Sequence, residues 1–294
     1  MKSLPLSFIP TLTLGYLLGC GGGGSSLVEP IGNPHLVSAD ARINSPKLMA
    51  LVGSDIYVAN QGNRDAAGAL KIDASDQLTS VGFSNLRNAI GVAVNSAEVY
   101  VSGIPGSGIP GILNLSTGSP LVNTNGSHYG FVFTPQGDLV APSVNTSIGV
   151  SLANTNYASW NSIGIPDTPL ALVKKGNFIY ISTQGNQILK MDSNNLSASP
   201  QALNLTGLQL ESPNGIAFDG DTMYVVNHGP VGGTKSWIAK ITNESVVGEF
   251  KRDPNWLCAS AGIAVRDNYI YISNGTATAT GCGNIQNTIV KFYH

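Results

Sequence analysis

Charge is scarce in this chain. Lys, Arg, Asp and Glu make up 11% of its 294 residues, against about 25% in an average soluble protein. The formal net charge is −2 and no basic stripe runs through the sequence, which argues against nucleic acid as a partner. Apolar runs at helical spacing are missing, so no helical domain is expected. Beyond the first twenty residues no apolar run approaches the ~18 needed to cross a bilayer as a helix. Cysteine is almost absent: Cys20, Cys258 and Cys282 are all there is. No Gly-x-Ser-x-Gly elbow occurs, and the glycines of residues 103–111 precede no helix, so they form no phosphate-binding loop. Gly, Ser, Asn and Thr take the place of charge, as in chains built of short strands and turns.

The N-terminus reads as an export segment. Lys2 supplies a thin positive start, and residues 4–18 are mostly apolar and too short to span a membrane. The segment ends in Leu17-Leu18-Gly19-Cys20, which resembles a bacterial lipobox, with Leu18 bulkier than that motif usually has. The resemblance implies cleavage before Cys20, acylation of that cysteine and anchoring by its acyl chains, each buried methylene contributing about 0.8 kcal/mol. An ordinary secretory peptide is the alternative. Gly21 after the cysteine resembles lipoproteins sent to the outer membrane, facing the periplasm or the cell surface. The expected organisation is therefore a signal peptide over 1–19, a lipidated cysteine and Gly/Ser-rich tether over 20–34, and one folded domain over 35–294. In an exported protein, Cys258 and Cys282 pair most simply with each other. Closing their loop is worth about 3 kcal/mol in the chain-entropy picture; two buried thiols are the alternative.

A hairpin-like phrase recurs six times, at 45–60, 88–103, 129–142, 168–183, 212–227 and 260–274. The second strand of each copy carries Tyr57, Tyr100, Leu139, Tyr180, Tyr224 or Tyr271, spaced 43, 39, 41, 44 and 47 residues apart. Nine residues before each stands Leu48, Gly91, Gly130, Ala171, Gly215 or Gly262. A third, alternating apolar strand follows every copy, at 69–72, 112–115, 149–152, 188–191, 238–241 and 289–292. A more polar fourth follows in most, for example at 78–83 and 246–250. Four strands per repeat of roughly 43 residues predict an all-β, six-bladed propeller with four-stranded antiparallel blades. The last blade runs out after its third strand, and residues 36–43 are the predicted donor that closes the ring and joins the two ends of the domain.

Antiparallel order puts the entry of each first strand and the exit of each second strand on one face, the top. The hairpin turns, with Asp138, Asp219 and Asp221, fall on the bottom in solvent. Lys47, Ile90, Tyr129, Leu170, Asn214 and Ala261 are predicted to ring the channel mouth. Asn60, Asn227 and Asn274 leave the second strands there and read first as turn formers, and His128 and His228 lie on the same face. Longer loops at 103–111, 228–236 and 275–287 concentrate on it. Propellers use such loops for binding, so Lys47, Asn60, His128, Tyr129, Asn214, Asn227 and His228 are the candidate ligand-binding residues.

Residues 212–227, with Pro213-Asn214-Gly215 and Tyr224-Val225, resemble NHL repeats and the SMP-30/gluconolactonase family, both six-bladed propellers. The gluconolactonase resemblance implies that Asn214 is a ligand of a divalent metal, calcium or zinc, in a lactone hydrolase. Such enzymes also need carboxylates at the mouth. Here the first blade offers Pro46-Lys47-Leu48 and the sixth Ser260-Ala261-Gly262, and a hard cation wants carboxylate oxygens. Asn214 can equally be a turn residue. The reading carried forward is a monomeric, non-catalytic binding propeller without a cofactor. It is anchored in the cell envelope through lipid on Cys20 and takes a protein, peptide or glycan on its top face. Its rivals are the metal-dependent hydrolase and a scaffold subunit of an envelope assembly.

Overall fold

The computed structural model describes residues 34–62, 68–82, 86–104, 108, 110–123, 130–143, 146–229, 235–275 and 282–294. Six sheets stand in a ring as six blades. The signal segment, Cys20, His128 and Tyr129 lie outside the described residues.

Blade 1 comprises Pro46–Val52, Asp55–Asn60, Gly68–Ile72 and Leu78–Val81, from the channel outwards. Blade 2 comprises Val92–Asn95, Glu98–Gly103, Gly111–Asn114 and Pro120–Asn123. Blade 3 has a two-residue inner strand, Val132–Phe133, then Leu139–Pro142, Ser147–Ser151 and Asn161–Gly164. Blade 4 runs through Pro169–Lys175, Phe178–Thr183 and Ile188–Asp192 to a two-residue outer strand, Gln201–Ala202. Blade 5 comprises Pro213–Asp219, Thr222–Asn227, Trp237–Thr242 and Val246–Arg252, with Thr206–Gly207 added in parallel at its rim. Blade 6 supplies Ser260–Arg266, Tyr269–Asn274 and Thr288–Tyr293. Its outer strand comes from the other end of the chain: Pro34–Ser38 pairs antiparallel with Thr288–Tyr293, Pro34 opposite Phe292 and Ser38 opposite Ile289.

The closing strand therefore begins two residues earlier than the sequence suggests and stops sooner. Ile43, expected within it, instead turns inward. It is buried between blades 6 and 1 against Ile56, Val58, Tyr271 and Ile289. Burying an isoleucine there is worth about 1.5–3 kcal/mol, more than it would gain on an edge strand.

The blades pack face to face through six apolar clusters of strand side chains. In blades 4, 5 and 6 the recurring tyrosine reaches the turn after the third strand of the next blade. Tyr180 donates its hydroxyl to Glu244, which also takes an ion pair from Lys190 at 2.6 Å. Tyr224 meets the ring of His294 at 3.3 Å. Tyr271 donates to Asp76 at 2.9 Å. That last contact belongs to a polar weld across the closing seam. Arg266 is buried, pairs with Asp76, and donates to the carbonyls of Ser54 at 3.0 Å and Asp73 at 2.7 Å. Lys291 adds a second ion pair to Asp76 at 3.0 Å.

Cys258 and Cys282 are joined by a disulfide, with Cα atoms 5.7 Å apart, and both are buried. Of the hairpin-turn aspartates, Asp219 is 53% exposed as expected. Asp138 is not simply solvated: it accepts the backbone N–H of Ala153 at 2.9 Å and holds the short 3-10 turn Ala153–Thr155.

Candidate functional site

The nine-residue offset marks the neck of the channel. Its small residues sit where the inner strands bulge out of register, as between Pro213 and Ile216 or between Ser260 and Ile263. The inner strands converge there and leave no room for a side chain at three of the glycines. A β-carbon on Gly130 would lie 2.7 Å from the Leu172 nitrogen, one on Gly215 2.6 Å from the Ala261 oxygen, and one on Gly262 2.3 Å from the Lys47 oxygen. Leu48 is the one bulky member of the set. It is buried, and its Cδ1 would lie 3.1 Å from that same Gly130 β-carbon, on the wall across the channel. The neck it throttles has a volume of about 40 Å³.

Bonds between blades stitch this neck together. Leu48 of blade 1 donates its backbone N–H to Ile90 of blade 2, and Gly130 of blade 3 to Leu170 of blade 4. The seams from blade 4 to blade 5 and from blade 6 to blade 1 use a serine. Ser182 accepts the N–H of Ala171 at 3.0 Å and donates to the Asn214 carbonyl of blade 5 at 2.6 Å. Ser273 accepts the N–H of Gly262 at 2.8 Å and donates to the Lys47 carbonyl of blade 1 at 2.6 Å. Ser102 accepts the N–H of Gly91 at 2.8 Å in the same way. The sequence carries this device as Tyr-x-Ser in the even blades, at Tyr100, Tyr180 and Tyr271. Sequence reasoning missed it, although the motif was there to be read.

Two of the backbone carbonyls so fixed belong to Lys47 and Asn214, and these two residues meet His228 at the mouth. The three share a small pocket of about 70 Å³ with Leu48, Ile90, Ala259 and Ala261. His228 is carried in by its own N–H, which donates to Ser212 at 3.0 Å. Burial drives the Lys47 ammonium below its ordinary pKa. Burial likewise pushes the His228 imidazole towards its neutral form; a backbone hydrogen bond at Ser260 opposes this, and the Lys47 charge adds to it. The Nδ1 of His228 is buried without a hydrogen-bond partner among the described residues.

Asn60 and Asn227 are placed differently. Both are wholly buried beneath the mouth. Asn60 accepts the Asn44 N–H at 2.8 Å and donates to the Arg42 carbonyl at 2.9 Å; Asn227 accepts the Glu211 N–H at 2.9 Å. Asn274 repeats the pattern with the N–H of Cys258. In each case the asparagine grips the chain sixteen residues earlier, as that chain arrives from the preceding blade. These amides hold backbone. The described mouth is Lys47, Asn214 and His228.

As a metal centre this mouth is a poor fit. An ammonium, an amide and a buried imidazole offer no carboxylate, and no cluster of three His, Cys, Asp or Glu side chains exists among the described residues. What the mouth offers is hydrogen-bond donors and positive charge.

Below the neck the channel widens into a funnel of about 570 Å³ that opens on the hairpin-turn face. The lower halves of all six inner strands line it. Reading the sequence for its top-face loops did not disclose this larger space.

No family model matches the chain, and no curated protein matches it. Solved structures do. An auxiliary nutrient-binding protein from Bacteroides thetaiotaomicron aligns over 85% of this chain and 69% of its own, with 14% identity and a TM-score of 0.58. Regucalcin from Agrobacterium tumefaciens, a calcium-binding protein, aligns over 89% and 93%, with 9% identity and a TM-score of 0.60. A protein assigned as a gluconolactonase aligns over 89% and 92%, with 9% identity and a TM-score of 0.63. At such identities the likeness is one of fold: the six-bladed propeller, shared by binding proteins and by gluconolactonase-like proteins.

Proposed function

We propose that this chain is a non-catalytic binding propeller of the bacterial cell envelope, tethered by lipid on Cys20. Its top-face mouth takes a peptide, protein or glycan by an acceptor-rich or anionic group. The observation that carries the reading is the donor set at the mouth. Lys47, His228 and Asn214 converge on one small pocket, and Lys47 is buried there with no carboxylate acting on it among the described residues. A carboxylate from a partner would relieve that desolvated ammonium, and the Asn214 amide and the imidazole would fix its orientation. The auxiliary nutrient-binding proteins of similar fold support a binding role. The hydrolase reading draws on the gluconolactonase-like neighbours, but a hard divalent cation wants carboxylate oxygens, which Lys47, Asn214 and His228 do not supply.

The deciding experiment uses the chain from Ser25 onward, which keeps every described strand. Calorimetry with calcium, zinc and manganese is expected to give no heat of specific binding. An array of acidic peptides and glycans is expected to give ligands whose affinity falls at least tenfold in Lys47→Gln. A tight divalent site that Asn214→Ala abolishes, together with lactone hydrolysis, would overturn the proposal in favour of the enzyme.

A further inference from the structure

The funnel on the hairpin-turn face is a second site, separate from the mouth above the neck. Its volume of about 570 Å³ falls within the roughly 300–1,000 Å³ of small-molecule sites, and its exposed lining is more polar than apolar. The strand register explains where those polar atoms come from. Residues facing each other across an antiparallel pair alternate between hydrogen-bonded and non-hydrogen-bonded pairs. In five blades the inner hairpin closes with a two-residue turn whose first residue, Gly53, Ser96, Gly176, Gly220 or Asp267, has φ between 53° and 60°. The pair that flanks such a turn is a hydrogen-bonded one. The residue one step before it therefore points its N–H and C=O away from the second strand, into the channel. Blade 3 has a longer turn, but Thr134 donates its N–H to Asp138 at 2.8 Å, which leaves Phe133 in the same position. The result is a tier of six peptide positions: Leu51, Val94, Phe133, Lys174, Phe218 and Val265. A second tier lies two residues earlier in each blade, and both tiers line the funnel. Neither tier contains proline, so each position offers a donor and an acceptor. No backbone bond joins the blades at these two levels among the described residues. The side chains go elsewhere: Phe133, Ile216, Phe218, Ile263 and Val265, for example, are packed in the clusters between blades.

From this arrangement we infer that the funnel binds a neutral polyhydroxyl compound, of the size of a small sugar, through the channel-facing peptide groups of its two tiers. A hydroxyl donates and accepts at once, and the hydroxyls of a sugar spread in every direction, as the peptide groups do around the funnel. Donors and acceptors stand in equal number, so the backbone wall selects no sign of charge, and Lys174 is the single ionisable residue of the lining. An extended peptide would bond along one or two of the inner edges and leave the others unused. A hydrocarbon would take water from the peptide groups and return no bond. The inner strands are fixed by their own blades and by the neck above, so the wall is in place before a ligand arrives and little is lost in ordering it. A polyol that displaces water from these groups reproduces the bonds the water made. The site does not rest on the reading of the top mouth, and Lys47, Asn214 and His228 take no part in it.

The test uses the chain from Ser25 onward. Maltose and myo-inositol are titrated by calorimetry, with triglycine as the neutral peptide control. Saturable binding of one polyol per chain is expected, at least tenfold tighter than triglycine. Lys47→Gln is expected to leave that affinity unchanged, whereas a glycan held at the top mouth would lose it. Amide hydrogen exchange read by NMR locates the ligand. With the polyol at saturation, the amides of Leu51, Val94, Phe133, Lys174, Phe218 and Val265 are expected to exchange at least tenfold more slowly, and those of Lys47, Asn214 and His228 to stay as they were. Binding of neither polyol, triglycine as tight as the polyol, or exchange in the tier unaltered by a bound polyol overturns the inference. Loss of the polyol in Lys47→Gln overturns it too, and assigns the ligand to the mouth.

Discussion

Ser182 and Ser273 show how much a single hydroxyl can organise. Each is buried and sits between a bulged N–H on its own blade and a carbonyl on the next. Replacing the hydroxyl by a methyl-sized side chain leaves a buried donor and a buried acceptor without partners, at about 1–3 kcal/mol. Ser273→Ala is expected to lower stability by that amount in a denaturant titration, and to loosen Lys47, whose carbonyl Ser273 holds. A loss below about 0.5 kcal/mol would show that water replaces the hydroxyl. The sequence did not reveal this role, because a serine two residues after a strand tyrosine looks like any polar strand residue. The buried asparagines were hidden for a related reason. At the end of a strand, Asn caps a turn or faces a ligand with equal ease, and only the incoming chain sixteen residues earlier shows that Asn60 and Asn227 are committed to backbone.

At the scale of the element, the closing strand is the critical pairing. Strands were legible in the sequence because the hairpin phrase repeats and its tyrosine keeps its place; the third strands were found within a residue or two. Outer strands such as Gln201–Ala202 and Asn161–Gly164 were not individually placed, since they are exposed, short and carry little alternation. The end of the closing strand was also misjudged: alternation alone could not tell that Ile43 leaves the sheet to enter the core. Deleting residues 36–43 removes both the outer strand of blade 6 and Ile43, so it exposes the edge of Thr288–Tyr293 and opens the seam between blades 6 and 1. A fall of the melting temperature by more than about 10 °C is expected, on the scale of several kcal/mol for a domain of this size. An unchanged melting curve would show that the ring closes without it.

Across the whole molecule, the blades share a titration behaviour. Burial raises Tyr100 to about 12, helped by its hydrogen bond to Glu98. Burial also raises Tyr180 and Tyr271, with their bonds to Glu244 and Asp76 adding to it, and raises Tyr224 as well. An acid whose folded pKa lies above its unfolded value stabilises the fold fully below the unfolded value, about 10 for tyrosine. That stability is lost as pH climbs from there through the folded values. Lys47 acts in the opposite sense: its lowered pKa is a cost at neutral pH that fades in alkali, but it is one group against these tyrosines and Tyr157, which burial also raises. Denaturant midpoints are therefore expected to stay level from pH 8 to about 9.5 and to fall steeply between pH 10 and 12. A level midpoint up to pH 11.5 would contradict the buried tyrosine seams. The ring of six blades was readable from the repeat alone, whereas the funnel was not. Its wall is the lower half of six inner strands, which in sequence look like any half-buried strand. Only the convergence at the neck divides the channel into two unequal spaces.

The closing strand also settles how the domain answers to mechanical load. Pro34 sits at the lower end of that strand, while Thr288–Tyr293, its partner, is held by the body of the domain from its upper end. A pull on the N-terminus directed away from the hairpin-turn face runs along both strands in opposite directions. The rungs between Pro34–Ser38 and Ile289–Phe292 then bear the force together, in shear, rather than parting one after another as a zipper does. If the N-terminus is the tether proposed above, load applied at the opposite face is carried in shear and does not peel open the seam that makes the domain a ring.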